Sequence, residues 1–456
     1  MHFEPLTIGI IGIIALFIMV ILGMRVVFAA ALVGTVGLIM VLYAKPNVSF
    51  WLAFERGAGW AGTIPHAKSV SYTLSVLPMF ILIGFLAFHA GITKAVFEAA
   101  RRWIGWVPGG LAVASVFAAA GFAAVSGAST STAAVFSRVA IPEMLNAGYD
   151  RRLAAGVVAA AGTLASLIPP SAILVIYAII VEESVGKLLL AGLIPGIFSA
   201  VVYALLIIWR CWRNPALGGR ITGYTWAERF ESIPGTMPIL IVIGVIIGGV
   251  YFGLATPTES GALGAFVVFV MALRRGMKWP ELKDALLETA KLTVMIFSII
   301  WGVLVFVRFL GFAHLPDAFA EWIVSLPVSP MMIMILILLA YAVLGMFMDA
   351  IGMMLLTLPV VYPAVMALAP GLGFEPGSAD ASIWFGIIVV KMVEICLVTP
   401  PIGLNCFVVA GVRPDIPLSD VFKGIGPFFI ADVLTVAGLV AFPGIVTWLP
   451  NQMLNL

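Results

Sequence analysis

Charge is what this sequence lacks most. Only 10% of its 456 residues are Asp, Glu, Lys or Arg, against about 25% in an ordinary soluble domain. With 62% hydrophobic residues, the chain has too little polar surface to clothe a water-soluble core, and a soluble fold is excluded. Its three cysteines (Cys211, Cys396, Cys406) and four histidines (His2, His66, His89, His314) are scattered without metal-ligand spacing, so neither a disulfide framework nor a zinc site is expected. The net charge of +2 is too small for nucleic-acid binding. No GxxxxGK[ST] loop occurs, so any ATP-driven step would need another chain. The longest polar stretches, about 45–70 and 212–234, leave no room for a soluble domain.

What is present is a succession of apolar runs from residue 6 to residue 448, several near the roughly 20 residues that a membrane span needs. The first, 6–24, has no basic n-region or small-residue cleavage site and is read as a span, not a signal peptide. Basic residues favour the cytoplasm, and they thread the rest. Arg25 places the N-terminus outside; 26–43 returns outward to a polar loop, and 72–90 crosses inward. Arg101 and Arg102 on one side of two short apolar pieces, and Arg151 and Arg152 on the other, make both flanks cytoplasmic. Residues 104–146 are then a re-entrant hairpin with its tip at Ser126–Thr132. A crossing at 153–181 and a span at 188–209 complete the first half, 1–213, followed by a cytoplasmic linker, 214–235. The second half, 236–456, repeats the plan upside down, with spans at 236–253, 260–273 and 292–313. A hairpin at about 328–366 enters from outside, followed by a crossing at 383–412 and a span at 425–448. The fold class expected is thus an all-α polytopic membrane protein, an inverted-repeat transporter with two re-entrant hairpins and two broken helices.

The duplication is visible in residues. TAAVFSRVAIP (Thr132–Pro142) aligns with DAIGMMLLTLP (Asp349–Pro359), IPPS (Ile168–Ser171) with TPPI (Thr399–Ile402), and GLIP (Gly192–Pro195) with GIGP (Gly424–Pro427). A lone proline in a membrane helix reads as a kink. Two equivalent Pro-Pro pairs, each accompanied by a hairpin tip, read as two discontinuous helices whose freed carbonyls and amides can meet ions.

Candidate site residues follow from that pairing. At the first tip they are Ser126, Gly127, Ser129, Thr130, Ser131 and Thr132, small and oxygen-bearing, with Gly162, Thr163 and Ala165 at the first break. At the second they are Gly345 and Asp349 at the tip, with Thr399, Pro400, Gly403 and Asn405 at the break. Na⁺ is expected at backbone carbonyls of these segments. Single Ser and Thr residues in membrane helices often only pack; the clustering is what argues for a site. Lys391 and Glu394 are intramembrane charges, read either as functional or as a pair that holds helices together. Glu259 reads as structural, and the GxxxG spacings Gly192/Gly196 and Gly244/Gly248 suit close helix packing or subunit docking. An enzyme built on GAST (Gly127–Thr130) would lack a base within reach of its serine, and a channel of re-entrant loops is the stronger rival.

The chain resembles the large, M-type membrane subunit of tripartite ATP-independent periplasmic (TRAP) transporters. The likeness rests on SGASTSTAA (Ser126–Ala134), IPEMLNAGYDRRLAAG (Ile141–Gly156), GTLASLIPPS (Gly162–Ser171), TPTES (Thr256–Ser260), GMFMD (Gly345–Asp349) and EICLVTPPIGLN (Glu394–Asn405). Cys396 stands where the family usually has glycine, and Ala128 where it often has serine. The resemblance implies a Na⁺-coupled, elevator-type importer of small organic acids in the bacterial inner membrane, with no cofactor beyond the coupling ion. It also implies two partners: a small four-helix Q-type membrane subunit and a periplasmic P-type substrate-binding protein. The alternative is a self-sufficient anion symporter or channel.

Overall fold

The computed structural model describes residues 4–69, 71–346 and 350–453. Among these residues the regular structure is helical. The first half comprises α1 (Pro5–Ile21), α2 (Val26–Tyr43), α3 (Phe50–Ser69), α4 (Val76–His89), α5 (Ile92–Ile104), α6 (Gly110–Ser126), α7 (Ser129–Asn146), α8 (Arg151–Thr163), α9 (Ala172–Val181) and α10 (Val185–Arg213). The second comprises α11 (Trp226–Tyr251), α12 (Pro257–Arg274), α13 (Trp279–Phe312), α14 (Leu315–Ser325), α15 (Pro330–Gly345), α16 (Ala350–Leu368), α17 (Ala379–Val398), α18 (Leu404–Val412), α19 (Leu418–Ala441) and α20 (Gly444–Asn451). Eight of the described helical segments are long and apolar enough to cross a bilayer.

Local chemistry explains several boundaries that hydropathy alone misplaces. Residues 45–70, expected as a polar loop, contain α3. Its Trp60 ring stacks on Phe312 of α13 at 4.7 Å, so the segment is a helix laid against the bundle and not a free connection. The linker expected at 214–235 is shorter, because Thr225 and Glu228 form a reciprocal capping box that starts α11 at Trp226. Thr256 and Glu259 form the same box at the start of α12, the structural role expected for Glu259. The last span, expected as continuous over 425–448, stops at Ala441 and resumes at Gly444, since Pro443 has no N–H for a helix to use.

Packing depends on small residues. In lipid the apolar surface gains little by leaving its solvent, and helices associate where backbones can approach closely. A Cβ on Gly34 of α2 would lie 2.6 Å from the backbone nitrogen of Phe306 in α13, and one on Gly302 of α13 would overlap the Val27 carbonyl. Gly156 of α8 and Gly424 of α19 meet in the same way. Of the expected GxxxG pairs, Gly192 and Gly196 press on Leu167 and Ile168 of the first break, while Gly244 and Gly248 face open space. Large apolar side chains such as Ile14, Leu205, Phe266 and Leu434 cover the outside, where lipid is their solvent. In contrast, every residue of α17 from Ala381 to Val398 is buried, which makes it the central helix of the bundle.

Candidate functional site

Helices α6 and α7 form the first hairpin, joined through Gly127 and Ala128. Its two ends come back together: Arg101, at the end of α5, bonds Glu143 of α7 at 2.9 Å. The Tyr149 hydroxyl accepts from the Leu111 N–H and donates to the Gly219 carbonyl. At the tip, Gly127 is left-handed (φ 59°), and a Cβ there would sit 2.6 Å from the Pro170 carbonyl oxygen. Only glycine takes both that conformation and that approach without strain. The Ser129 and Ser166 hydroxyls are 2.7 Å apart, linking tip to break. The Ser126 and Thr132 hydroxyls are 2.8 Å apart, and Thr132 donates to the Ala128 carbonyl. Gly162 packs on Ala133, the Thr163 hydroxyl donates to the Ala160 carbonyl, and Ala165 is buried in the one-turn 3₁₀ segment that ends α8. Thr130 and Ser131 face the cavity described below.

At the second break the close approach is made by a glycine at the end of α15. Gly345, the last residue of α15, lies against Cys396 of α17, and a side chain there would overlap both Sγ and Cβ of that cysteine. The Cys396 thiol points to the Tyr341 carbonyl. Asp349 lies outside the described residues. Thr399 ends α17, its hydroxyl donating to the Ile395 carbonyl at 2.6 Å. Pro400 is exposed, and Gly403 is left-handed (φ 51°) as the residue before α18. Both Pro-Pro peptides, 169–170 and 400–401, are cis. Asn405 is fully buried; its amide donates to the Ala159 carbonyl of α8 at 3.3 Å, and its Oδ1 has no partner. The short half-helices cross over: α18 packs on α7 and α8, and α9 packs on α16.

The first tip opens on a cavity of about 890 Å³ that reaches Leu397 and Leu404, on either side of the second break. Its walls are the tip residues Ser126 to Ser131, the start of α16 (Ala350, Ile351), Leu397 and Leu404 beside the second break, and the facing sides of α2 and α13. Two cations, Arg25 and Lys291, line it. The N-terminal residues of α7 and α9 also reach it, and helix N-termini favour negative charge. An anion bound there would meet small hydroxyl-bearing residues on one side and cationic side chains on the other. Sequence reasoning used Arg25 only as a topology marker and passed over Lys291.

Lys391 and Glu394 lie apart from this cavity, in the core. Their side chains bond at 2.7 Å, one helical turn apart on α17. The ammonium also meets Asp432 of α19 at 2.7 Å, and the Tyr203 hydroxyl of α10 donates to the same Asp432 oxygen at 2.6 Å. The cluster therefore ties three helices together, and its other two members, Asp432 and Tyr203, are not among the residues singled out in the sequence. Asp432 was legible as a carboxylate inside the apolar run FFIADVLTV, by the criterion that singled out Glu394.

A multi-pass helical frame with helical hairpins and two proline-broken helices beside a largely apolar cavity that holds hydroxyls and two cations is the architecture of a membrane transporter. The chain matches the family model described as the tripartite ATP-independent periplasmic transporter, DctM component, over residues 13–445, and it belongs to that family. It is 34% identical to the C4-dicarboxylate TRAP transporter large permease protein DctM of Pseudomonas aeruginosa, over 84% of this chain and 88% of that protein. It is 27% identical to the sialic acid TRAP transporter large permease protein SiaM of Vibrio cholerae, over 93% and 99%. The YdaH transporter of Alcanivorax borkumensis shares the fold, with a TM-score of 0.55 at 12% identity over 85% of this chain and 89% of that one. The chain is a multi-pass protein of the bacterial inner membrane.

Proposed function

We propose that this chain is the transporting subunit of a Na⁺-coupled importer of small organic acids. The observation that carries the reading is one cavity lined by the first tip from Ser126 to Ser131, by Leu397 and Leu404 flanking the second break, and by the cations Arg25 and Lys291. Proline breaks free carbonyl oxygens that suit Na⁺, and half-helix N-termini with two cations suit a carboxylate. One ion would bind around Ser126–Thr132 with Gly162–Ala165, the other around Gly345–Asp349 with Thr399–Gly403. The buried, unpartnered Asn405 Oδ1 supports a cation requirement beside the second of these. The substrate class follows relatives named for C4-dicarboxylates, sialic acid and 2,3-diketo-L-gulonate. In this reading the halves 1–213 and 236–456 are inverted repeats, and the hairpins with their broken helices move as an elevator against the remaining helices.

The described loops are too short to capture substrate, so selection falls to a periplasmic binding protein, with a small four-helix membrane subunit packed against the outer helices. The test is uptake in proteoliposomes containing this chain and both partners. Replacing Na⁺ by K⁺ at fixed voltage should abolish uptake, and indifference to that exchange would overturn the ion assignment. Rapid uptake by this chain alone would favour a self-sufficient symporter.

A further inference from the structure

The Lys391 cluster carries a charge imbalance that the transport reading does not use. Lys391, Glu394 and Asp432 are each 0% exposed. One ammonium faces two carboxylates, so full ionisation would leave a net negative charge in the least solvated part of the bundle, where charge is costly. The other charges on the elements packed on α17 sit at helix ends, Lys187, Arg210 and Arg213 of α10 and Lys423 of α19, beyond the cluster. Tyr177 and Tyr362 bond Ser382, Tyr341 meets Thr357, and the Cys406 thiol points to the Val398 carbonyl. Arg151 and Arg152 of α8 pair with Asp420 at the far end of α19. Tyr203, the remaining titratable neighbour, donates a hydrogen bond but brings no charge. A bound metal ion is disfavoured because the ammonium already occupies the position between the carboxylates. No group of three metal-ligating side chains occurs among the described residues.

We infer that this cluster is a proton-binding site, holding one proton on Glu394 at neutral pH. The assignment within the pair comes from the hydrogen bonds. Asp432 Oδ1 accepts from both Lys391 and Tyr203, and each donor stabilises the anion. Glu394 accepts from Lys391 alone, through Oε2, and its Oε1 is buried without a partner. Asp432 Oδ2 is likewise buried and unpartnered. Glu394 Oε2 and Asp432 Oδ1 bond the same Nζ, so these two oxygens stand no farther apart than the two bonds laid end to end. A proton on Glu394 Oε1, the oxygen that accepts from no other group, makes the cluster neutral. The site lies on the helix that carries the second break, two residues before Cys396.

Infrared spectroscopy of the purified complex in lipid reads this directly, independent of whether transport is Na⁺-coupled. At neutral pH the wild type should show the C=O stretch of a buried protonated carboxylic acid. Glu394→Gln should remove that band. Asp432→Asn should remove it too, although Glu394 is still present, because one ammonium and one carboxylate need no proton. Lys391→Met, leaving two acids without a cation, should raise it roughly twofold. Tyr203→Phe, which keeps the ring, should shift its frequency. A wild type with no such band overturns the assignment, and so does a band that survives Asp432→Asn. A band unmoved in Tyr203→Phe would do the same should the charged-residue variants fail to fold.

Discussion

The contact between Gly345 and Cys396 can be tested by exchanging volume across it. In Gly345→Ala the new methyl carbon would overlap both Sγ and Cβ of Cys396, with Met353 Sδ a further 3.1 Å neighbour. Rotating the thiol away relieves only half of this, since Cβ has nowhere to turn. The helices α15 and α17 must then separate, and overpacking of this kind costs about 1–3 kcal/mol. Cys396→Gly alone should cost about 1 kcal/mol for glycine in a helix, plus the lost thiol packing. In the double variant the alanine methyl takes the space that the cysteine side chain leaves. The two changes should therefore couple favourably by about 1–3 kcal/mol, as contacting residues do. Thermal unfolding of the four purified proteins in lipid measures the coupling, and uptake in proteoliposomes shows whether the second tip regains its seat. If Gly345→Ala unfolds at the wild-type temperature, or if the two effects simply add, the close approach is wrong.

At the first tip, Gly127→Ala combines a left-handed residue, costing about 1–2 kcal/mol, with a 2.6 Å approach to the Pro170 carbonyl; uptake should fall sharply, whereas Gly59→Ala, in open space on α3, should leave uptake and melting unchanged. Lys391→Met removes the cation from two buried carboxylates and should destabilise by about 3–5 kcal/mol, read as a lowered unfolding midpoint; a midpoint within error of wild type would contradict the ion-pair geometry. Cysteines introduced at 102 and 151 should both label from the cytoplasmic side, because Arg101 and Glu143 hold the hairpin ends together; labelling from opposite faces would refute the re-entrant hairpin.

The sequence reveals those parts of the fold that depend on composition along the chain. Apolar run length and Arg placement locate most spans, and the small polar tip with Pro169–Pro170 marks the first hairpin and its break. What escapes is what depends on contacts between distant segments. The polarity of 45–70 says that it does not span, yet cannot distinguish a loop from α3 lying on Phe312. Tyr203 reads as one more aromatic residue in an apolar span, and only the fold brings it to Asp432. Arg25 serves as a charge marker and Lys291 goes unremarked until the fold brings both to the cavity beside the first tip.

Because α17 is enclosed on all sides, it has no surface to offer lipid as it leaves the ribosome. The groups that complete the cluster on it are made at different times: Tyr203 of α10 long before it, and Asp432 of α19, which both Lys391 and Tyr203 bond, only afterwards. During synthesis Lys391 therefore enters the membrane with Glu394 as its single counter-charge, and the segment from Leu418 onward closes the molecule around it. A nascent chain halted between α18 and α19 should be the substrate that membrane quality-control proteases recognise, since its central helix is still waiting for the last wall.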